Sequence, residues 1–179
     1  GGAAVFGFGK ADLAFSADAT ALLLGTAEDE LAGYAVAGGD FNGDGEGDAV
    51  VGAPSADGAG TVSVVYGPLT GSISLTTADI IVTATAADDG LGVAVSGCDL
   101  NADGLDDLLA GADFNDDAAS NAGVAYVFTT LPAGSVAAAS ADAMVTGAAA
   151  NDYLGRAVSC AGDVNADGDT DLLVGATAY

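Results

Sequence analysis

A nine-residue pattern rich in carboxylates, D-x-N-x-D-G-x-x-D, occurs three times in this 179-residue chain, at residues 40–48, 99–107 and 163–171. Oxygen-bearing side chains at positions 1, 3 and 5 of a tight turn can converge on one point, and Ca²⁺ takes about six to eight oxygen ligands. Position 6 is glycine in every copy, as a sharp turn with positive φ favours. The pattern therefore predicts three calcium loops.

Each loop offers side-chain oxygens at positions 1, 3, 5 and 9 and a main-chain carbonyl at position 7. The predicted ligands are Asp40, Asn42, Asp44, Glu46 and Asp48, then Asp99, Asn101, Asp103, Leu105 and Asp107, and then Asp163, Asn165, Asp167, Asp169 and Asp171. An EF-hand is not favoured, because its loop needs a bidentate Glu at position 12. This chain has Val51, Ala110 or Val174 there.

The sequence around the loops repeats with them at intervals of about 60 residues, which indicates an array of supersecondary units. Short apolar runs bounded by turn residues predict buried strands. The predicted first strands are the Gly-x-Ala-Val segments at 33–36, 92–95 and 155–158, the second strands 49–53, 108–112 and 172–176, the third 61–66 and 124–128, and the fourth 80–83 and 143–146. Four strands in each unit favour an all-β fold built of propeller blades.

A two-part signature flanks each loop. Its second half is intact in the first unit as Val51-Gly52-Ala53-Pro54 and is degenerate at 111–113 and 175–177. Its first half, which lies at the start of each first strand, is present in loosened form as Ala32-Gly33, Leu91-Gly92 and Leu154-Gly155. The combination of loop, signature and spacing resembles the FG-GAP repeat, the blade unit of the β-propeller in integrin α-chain heads and in many bacterial and archaeal surface proteins. The resemblance implies four-stranded antiparallel blades whose calcium hairpins join strands one and two.

We expect residues 1–179 to form one propeller segment that begins and ends within a blade. It divides into a half blade at 1–30 (strands three and four, at 1–9 and 22–24), blades at 31–84 and 85–146, and a half blade at 147–179 (strands one and two). Either the chain is a segment of a longer polypeptide, or half blades of different copies complete one another. Head-to-tail completion of this kind gives a ring or a fibre.

Charge restricts the partners. Twenty-six acidic residues face only Lys10 and Arg156, and the formal net charge is −24 at pH 7. Nucleic acid is excluded as a partner because phosphate binding depends on Lys and Arg. Membrane insertion is not expected either, since the chain has no apolar run of about 20 residues. A solvated acidic surface with almost no lysine fits a halophilic protein kept soluble in high salt.

The chain has two cysteines and few residues of the types that usually act in catalysis. Cys98 and Cys160 precede the second and third loops, and either a disulfide between neighbouring units or two small buried thiols is compatible with their positions. Without histidine, and with Lys10 and Arg156 as its cations, the chain is not expected to be an enzyme. It could still be the non-catalytic propeller part of a polysaccharide-active or hydrolytic enzyme.

We expect an extracellular or cell-surface calcium-binding module, prokaryotic in origin, that serves adhesion and recognition of a protein or glycan ligand. The alternative is a subunit of a self-assembling extracellular filament or ring, whose partners are further copies of the chain. Partner contacts are predicted at the loops opposite the calcium hairpins, with Phe114 and Tyr153 as anchors. The predicted contact residues are Glu28, Asp29, Glu30, Asp57, Asp88, Asp89, Phe114, Asn115, Asp116, Asp117, Asn151, Asp152 and Tyr153.

Overall fold

A computed structural model describes residues 3–6, 19–27 and 29–178. The strands in these ranges are β1 (Ala3–Phe6), β2 (Ala19–Leu24), β3 (Ala35–Gly39), β4 (Asp48–Ala53), β5 (Thr61–Val65), β6 (Gly71–Ser74), β7 (Ile80–Thr83), β8 (Ala94–Cys98), β9 (Asp107–Ala112), β10 (Val124–Phe128), β11 (Gly134–Ala137), β12 (Ala143–Thr146), β13 (Ala157–Gly162) and β14 (Asp171–Gly175). Single 3₁₀ turns lie at Ala56–Gly58, Leu75–Thr77 and Ala138–Ser140. The described residues contain no α-helix, which confirms the predicted all-β class.

The predicted order of four antiparallel strands is confirmed in two units. In the first, β3, β4, β5 and β7 pair antiparallel in that order, and in the second β8, β9, β10 and β12 do the same. A third unit contributes the antiparallel hairpin of β13 and β14. No helix within the described ranges is long and apolar enough to cross a membrane.

Parallel pairings add strands that the sequence pattern did not predict. The four-residue strands β6 and β11 pair parallel with β2 and β7, so each joins the fourth strand of the preceding unit. β1 and β2 also run parallel to each other. This differs from the half blade predicted for residues 1–30, whose third and fourth strands would run antiparallel as they do in the two complete sheets.

The sheets stack face to face, with β4 between two cores. Every residue of β4 is buried. Val50 belongs to one core together with Leu108 and Phe128 of the second unit. Its neighbours Ala49 and Val51 belong to the other core, which also contains Leu23, Ala53 and Leu75. The alternation of a strand therefore divides its small side chains between two sheet-to-sheet interfaces.

The signature glycines lie where neighbouring units touch through their backbones. A Cβ on Gly52 would lie 2.1 Å from the carbonyl oxygen of Gly92, and a Cβ on Gly111 would lie 1.9 Å from that of Gly155. Only a residue without a side chain allows this approach. The same position in the third unit, Gly175, has nothing nearer to its added Cβ than the Ala157 Cβ at 3.3 Å.

The first strands of the three units are neighbours. β3 packs beside β8, and β8 beside β13. Cys98 on β8 and Cys160 on β13 form a disulfide, with their Cα atoms 6.2 Å apart. Of the two arrangements that the sequence left open, the structure has the disulfide, and it joins adjacent units through their first strands.

Candidate metal-binding loops

The three predicted loops connect the first and second strands of their units and share one turn geometry. The carboxylate at position 1 accepts a hydrogen bond from the glycine amide at position 6. The N···O distances are 2.9 Å for Gly45 to Asp40, 2.9 Å for Gly104 to Asp99 and 3.0 Å for Gly168 to Asp163. These glycines have φ of 83°, 90° and 98°, which explains why position 6 is glycine.

Positions 3 and 5 hold the turn in the same way. The Oδ1 of Asn42, Asn101 and Asn165 accepts from the amide at position 5, at 2.8, 2.9 and 2.9 Å. The position-5 carboxylates of Asp44, Asp103 and Asp167 accept from the amides of Glu46, Leu105 and Asp169. Such side-chain to backbone bonds are local Asx turns. Position 7 contributes its backbone, which explains how its side chain can vary.

The position-9 carboxylates reach back across the loop. Asp48 and Asp107 are 5% and 1% exposed, and each Oδ2 accepts from the amide at position 2, at 2.8 and 2.7 Å. Asp48 Oδ1 also accepts from the amide of Gly67 at 2.8 Å. Asp107 Oδ1 is buried and has no hydrogen-bond donor among the described residues. A buried carboxylate oxygen without a partner is costly, so this atom needs a counterpart.

Burial raises the pKa of both Asp48 and Asp107 above the usual aspartate value. Bonds from backbone amides oppose the rise, whereas the carboxylates at positions 1 and 5 of the same loop add to it. In the exposed third loop the amide of Asp169 and the side chain of Asn165 lower the pKa of Asp167. A cation placed among the carboxylates of the first or second loop would favour their ionised forms.

The predicted ligands have the chemistry that a hard cation prefers, because their side chains offer carboxylate and amide oxygens. The unpartnered Asp107 Oδ1 fits it as well. Within residues 3–6, 19–27 and 29–178, however, no three Asp, Glu, His or Cys side chains are grouped as ligands of one ion. The carboxylates instead bond to loop amides, and the ligand set stays a prediction.

One acidic residue that the pattern did not single out links two loops. Asp106, at position 8 of the second loop, accepts from the amide of Asp40 at 2.7 Å, and its own amide donates to the Asp40 carbonyl at 2.9 Å. The other loops have Gly47 and Thr170 at position 8. The sequence offered one sign of this link between loops, namely that position 8 is acidic in the second loop alone.

The predicted contact residues lie near the ends of β4 and β9 that are farther from the candidate loops. The structure separates them into buried and accessible residues. Glu28 lies outside the described residues. Asp89 and Asn115 are each 2% exposed, and the Asn115 amide donates to Asp89 at 3.2 Å, so these two residues offer no contact surface. The exposed or partly exposed residues are Asp29, Glu30, Asp57, Asp88, Phe114, Asp116, Asp117, Asn151, Asp152 and Tyr153.

Comparison with known families agrees with this repeat. Two segments, residues 32–65 and 91–128, match the family model of the FG-GAP repeat. Each segment contains three successive strands and one candidate loop, β3 to β5 in the first and β8 to β10 in the second. No curated protein sequence matches the chain. The resemblance to the FG-GAP repeat is thus confirmed for residues 32–65 and 91–128, which together make up less than half of the chain.

Proposed function

We propose that the chain is part of a calcium-stabilised, extracellular β-propeller that serves adhesion or recognition. Three features support the propeller: the FG-GAP repeats, the face-to-face stacking of successive sheets, and the adjacent first strands β3, β8 and β13. In a propeller the first strands of successive blades surround the central channel. The disk would present loops from several blades on each face.

Calcium binding is the mechanistic part of the proposal, and the unpartnered Asp107 Oδ1 is the observation that carries it. The residues that would hold the ion in the second loop are Asp99, Asn101, Asp103 and Asp107, with the Leu105 carbonyl. Bound Ca²⁺ supplies positive charge among carboxylates that otherwise repel one another. Because this loop connects β8 to β9, repulsion within it loosens a hairpin and neutralisation tightens it.

The disulfide supports an oxidising compartment, since such bonds persist in secreted and cell-surface proteins and are rare in the cytosol. The net charge of −24 supports a saline setting. We also propose that the segment is not catalytic, which assays of ester and polysaccharide turnover at zero rate would support and measurable turnover would contradict.

Thermal unfolding in excess Ca²⁺ and in excess chelator tests the calcium proposal. An ion that binds only the folded state at about 100 times its Kd contributes about 2.7 kcal/mol per site. At about 2–4 °C per kcal/mol for a chain of this size, one such site raises Tm by roughly 5–11 °C. Equal melting temperatures in Ca²⁺ and in chelator would refute calcium binding.

Three isosteric variants localise the effect. Asp103→Asn and Asp107→Asn should each reduce the calcium-dependent rise in Tm, because each removes a ligand charge from the second loop. Asp57→Asn is the matched control, since Asp57 is exposed, lies outside the loops and has a φ of 51° that asparagine tolerates. An equal reduction in all three variants would indicate screening of total charge and would contradict a site in the loop.

Self-assembly is a second candidate function, favoured by the edge of β12. Its equivalents β2 and β7 each have a parallel neighbour, β6 and β11, whereas among the described residues β12 pairs only with β10. All four residues of β12 are exposed. By the repeat, the partner of β12 is a short strand that follows the third strand of the next unit, and another copy can supply such a strand. A native mass that grows with concentration, with fibres in negative stain, would support assembly, and a concentration-independent monomer would contradict it.

A further inference from the structure

A cavity of about 550 Å³ lies at the ends of β4 and β9 that point away from the candidate calcium loops. The turn after β4 and the turn after β9 form its walls, together with the segment that leads into β8. Its volume falls within the range of about 300–1,000 Å³ that is usual for small-molecule sites. The cavity is large enough for a ligand, and nothing in the calcium proposal uses it.

Two aromatic side chains from different units line the cavity with their rings accessible. Tyr34 is 54% exposed and Phe114 is 44% exposed. The Phe114 ring is supported from outside by Tyr153, in an edge-to-face contact with the ring centroids 5.7 Å apart. Exposed aromatic faces held by a neighbouring ring suit the flat, weakly polar face of a ligand.

The polar part of the wall presents an acceptor and a donor side by side. Asp113 is 1% exposed, and its Oδ2 accepts from Arg156 at 3.3 Å. Its Oδ1 has no partner among the described residues, although such atoms are normally hydrogen-bonded. The Arg156 side chain remains 45% exposed and also lines the cavity. The other polar residues of the lining are Ser55, Asp88, Asp116 and Asn121.

These groups restrict the charge of a ligand. An anion is disfavoured because Asp88, Asp113 and Asp116 line the cavity of a chain whose net charge is −24. A cation can pair with the carboxylates but not with the Arg156 guanidinium, so it would use only one side of the polar wall. A hydroxyl group can donate to a carboxylate and accept from a guanidinium, so it matches both sides of the wall.

We propose that this cavity binds a neutral saccharide, with a ring face stacked on Phe114 or Tyr34 and its hydroxyls bonded to Asp113 and Arg156. The inference rests on the recognition role proposed above and names the chemical class of its ligand. The site contains residues of two adjacent FG-GAP repeats, so it exists only where neighbouring units are stacked.

Saturation-transfer NMR on the calcium-loaded chain tests the proposal with lactose, cellobiose and N,N′-diacetylchitobiose as probes, and with glucuronate and arginine methyl ester as charged comparisons. We expect transfer to at least one of the three saccharides and none to the charged compounds. Phe114→Ala should weaken binding about tenfold, as loss of an aromatic contact of about 1.4 kcal/mol would do. Met144→Ala, which removes a 54%-exposed apolar side chain outside the cavity, should leave it unchanged.

Tyr34→Ala serves as a second variant in case Phe114→Ala does not fold. Transfer to none of the saccharides overturns the proposal, and so does binding of the charged compounds in their place. Binding by both Phe114→Ala and Tyr34→Ala that equals wild-type binding overturns it as well. These outcomes are separate from the test of calcium. A Tm that rises with Ca²⁺ without saccharide binding rejects this site alone, whereas saccharide binding without a calcium shift rejects the calcium loops alone.

Discussion

Replacing Gly111 with alanine tests whether the repeat units are locked together through their signature glycines. The added Cβ would lie 1.9 Å from the Gly155 carbonyl oxygen, whereas ordinary contact begins near 3.4 Å, so the two backbones must separate by the difference of 1.5 Å. The Gly155 amide also donates to the Gly175 carbonyl at 3.0 Å, which restrains any movement of this segment. The strain therefore falls on the interface between the second and third units.

The size of the effect follows from two opposing contributions. Overpacking of a close-packed site costs about 1–3 kcal/mol, and a contact between two backbones lies at the upper end of that range. Alanine returns about 0.5–1 kcal/mol, because glycine loses more chain entropy on folding. The net loss in the free energy of unfolding is about 2 kcal/mol, which lowers Tm by roughly 4–8 °C in a chain of this size.

Gly175→Ala is the matched control. Gly175 has the same position in the third unit, but its added Cβ meets only Ala157, whose nearest atom is its Cβ at 3.3 Å. We expect this variant to melt at or slightly above the wild-type temperature. Thermal unfolding followed by circular dichroism in excess Ca²⁺ compares the three proteins, with the disulfide verified by mass. Equal melting temperatures for the two variants would refute the glycine contact as the link between units.

Three further predictions concern the disulfide, a buried aspartate and the net charge. Replacing Cys98 and Cys160 with serine should cost up to about 4 kcal/mol, since the bond closes a loop of 62 residues, and an unchanged urea midpoint would contradict this. Burial raises the pKa of Asp113, and Arg156 opposes the rise. The folded state therefore holds the Asp113 proton more tightly than the unfolded state does. The resulting stabilisation is present at low pH and is lost as the pH rises through the raised pKa. Asp113→Asn should remove that loss, and urea midpoints at about pH 3–7 should show the variant gaining on wild type as pH increases. In chelator, NaCl should raise Tm by screening the charge of −24, whereas a Tm independent of salt would show that self-repulsion is negligible.

The elements that sequence reasoning located correctly are those fixed by local chemistry. In the loops, Asn42 bonds to the amide two residues ahead and Asp40 to the amide five residues ahead, so the pattern alone contains the turn. The second strands were predicted from continuous apolar runs, and β4 and β9 are buried along their whole length. The turn needs no distant part of the chain, and the apolar runs mark the second strands before their packing partners are known.

The features that were missed depend on a neighbouring unit. The first strands begin two residues later than predicted, because Gly33, Gly92 and Gly155 have positive φ and lie in contacts outside the strands. β6 and β11 are four residues long, and they are strands because the preceding unit offers an edge to pair with. The disulfide could not be decided from spacing, since it needs β8 and β13 to be adjacent. Local patterns predict a unit, and contacts between units require the structure.

The same dependence makes the first two loops chemically different despite their shared pattern. In the first unit the amide of Gly67 donates to Asp48, which satisfies the buried position-9 carboxylate. The equivalent amide in the second unit, that of Thr130, donates instead to Asp142 at 3.1 Å, and Asp107 Oδ1 is left without a donor among the described residues. The chain therefore satisfies both oxygens of the Asp48 carboxylate but only Oδ2 of the Asp107 carboxylate. On the calcium proposal, a bound cation contributes most where the protein contributes least, so we expect chelation to loosen the second loop first.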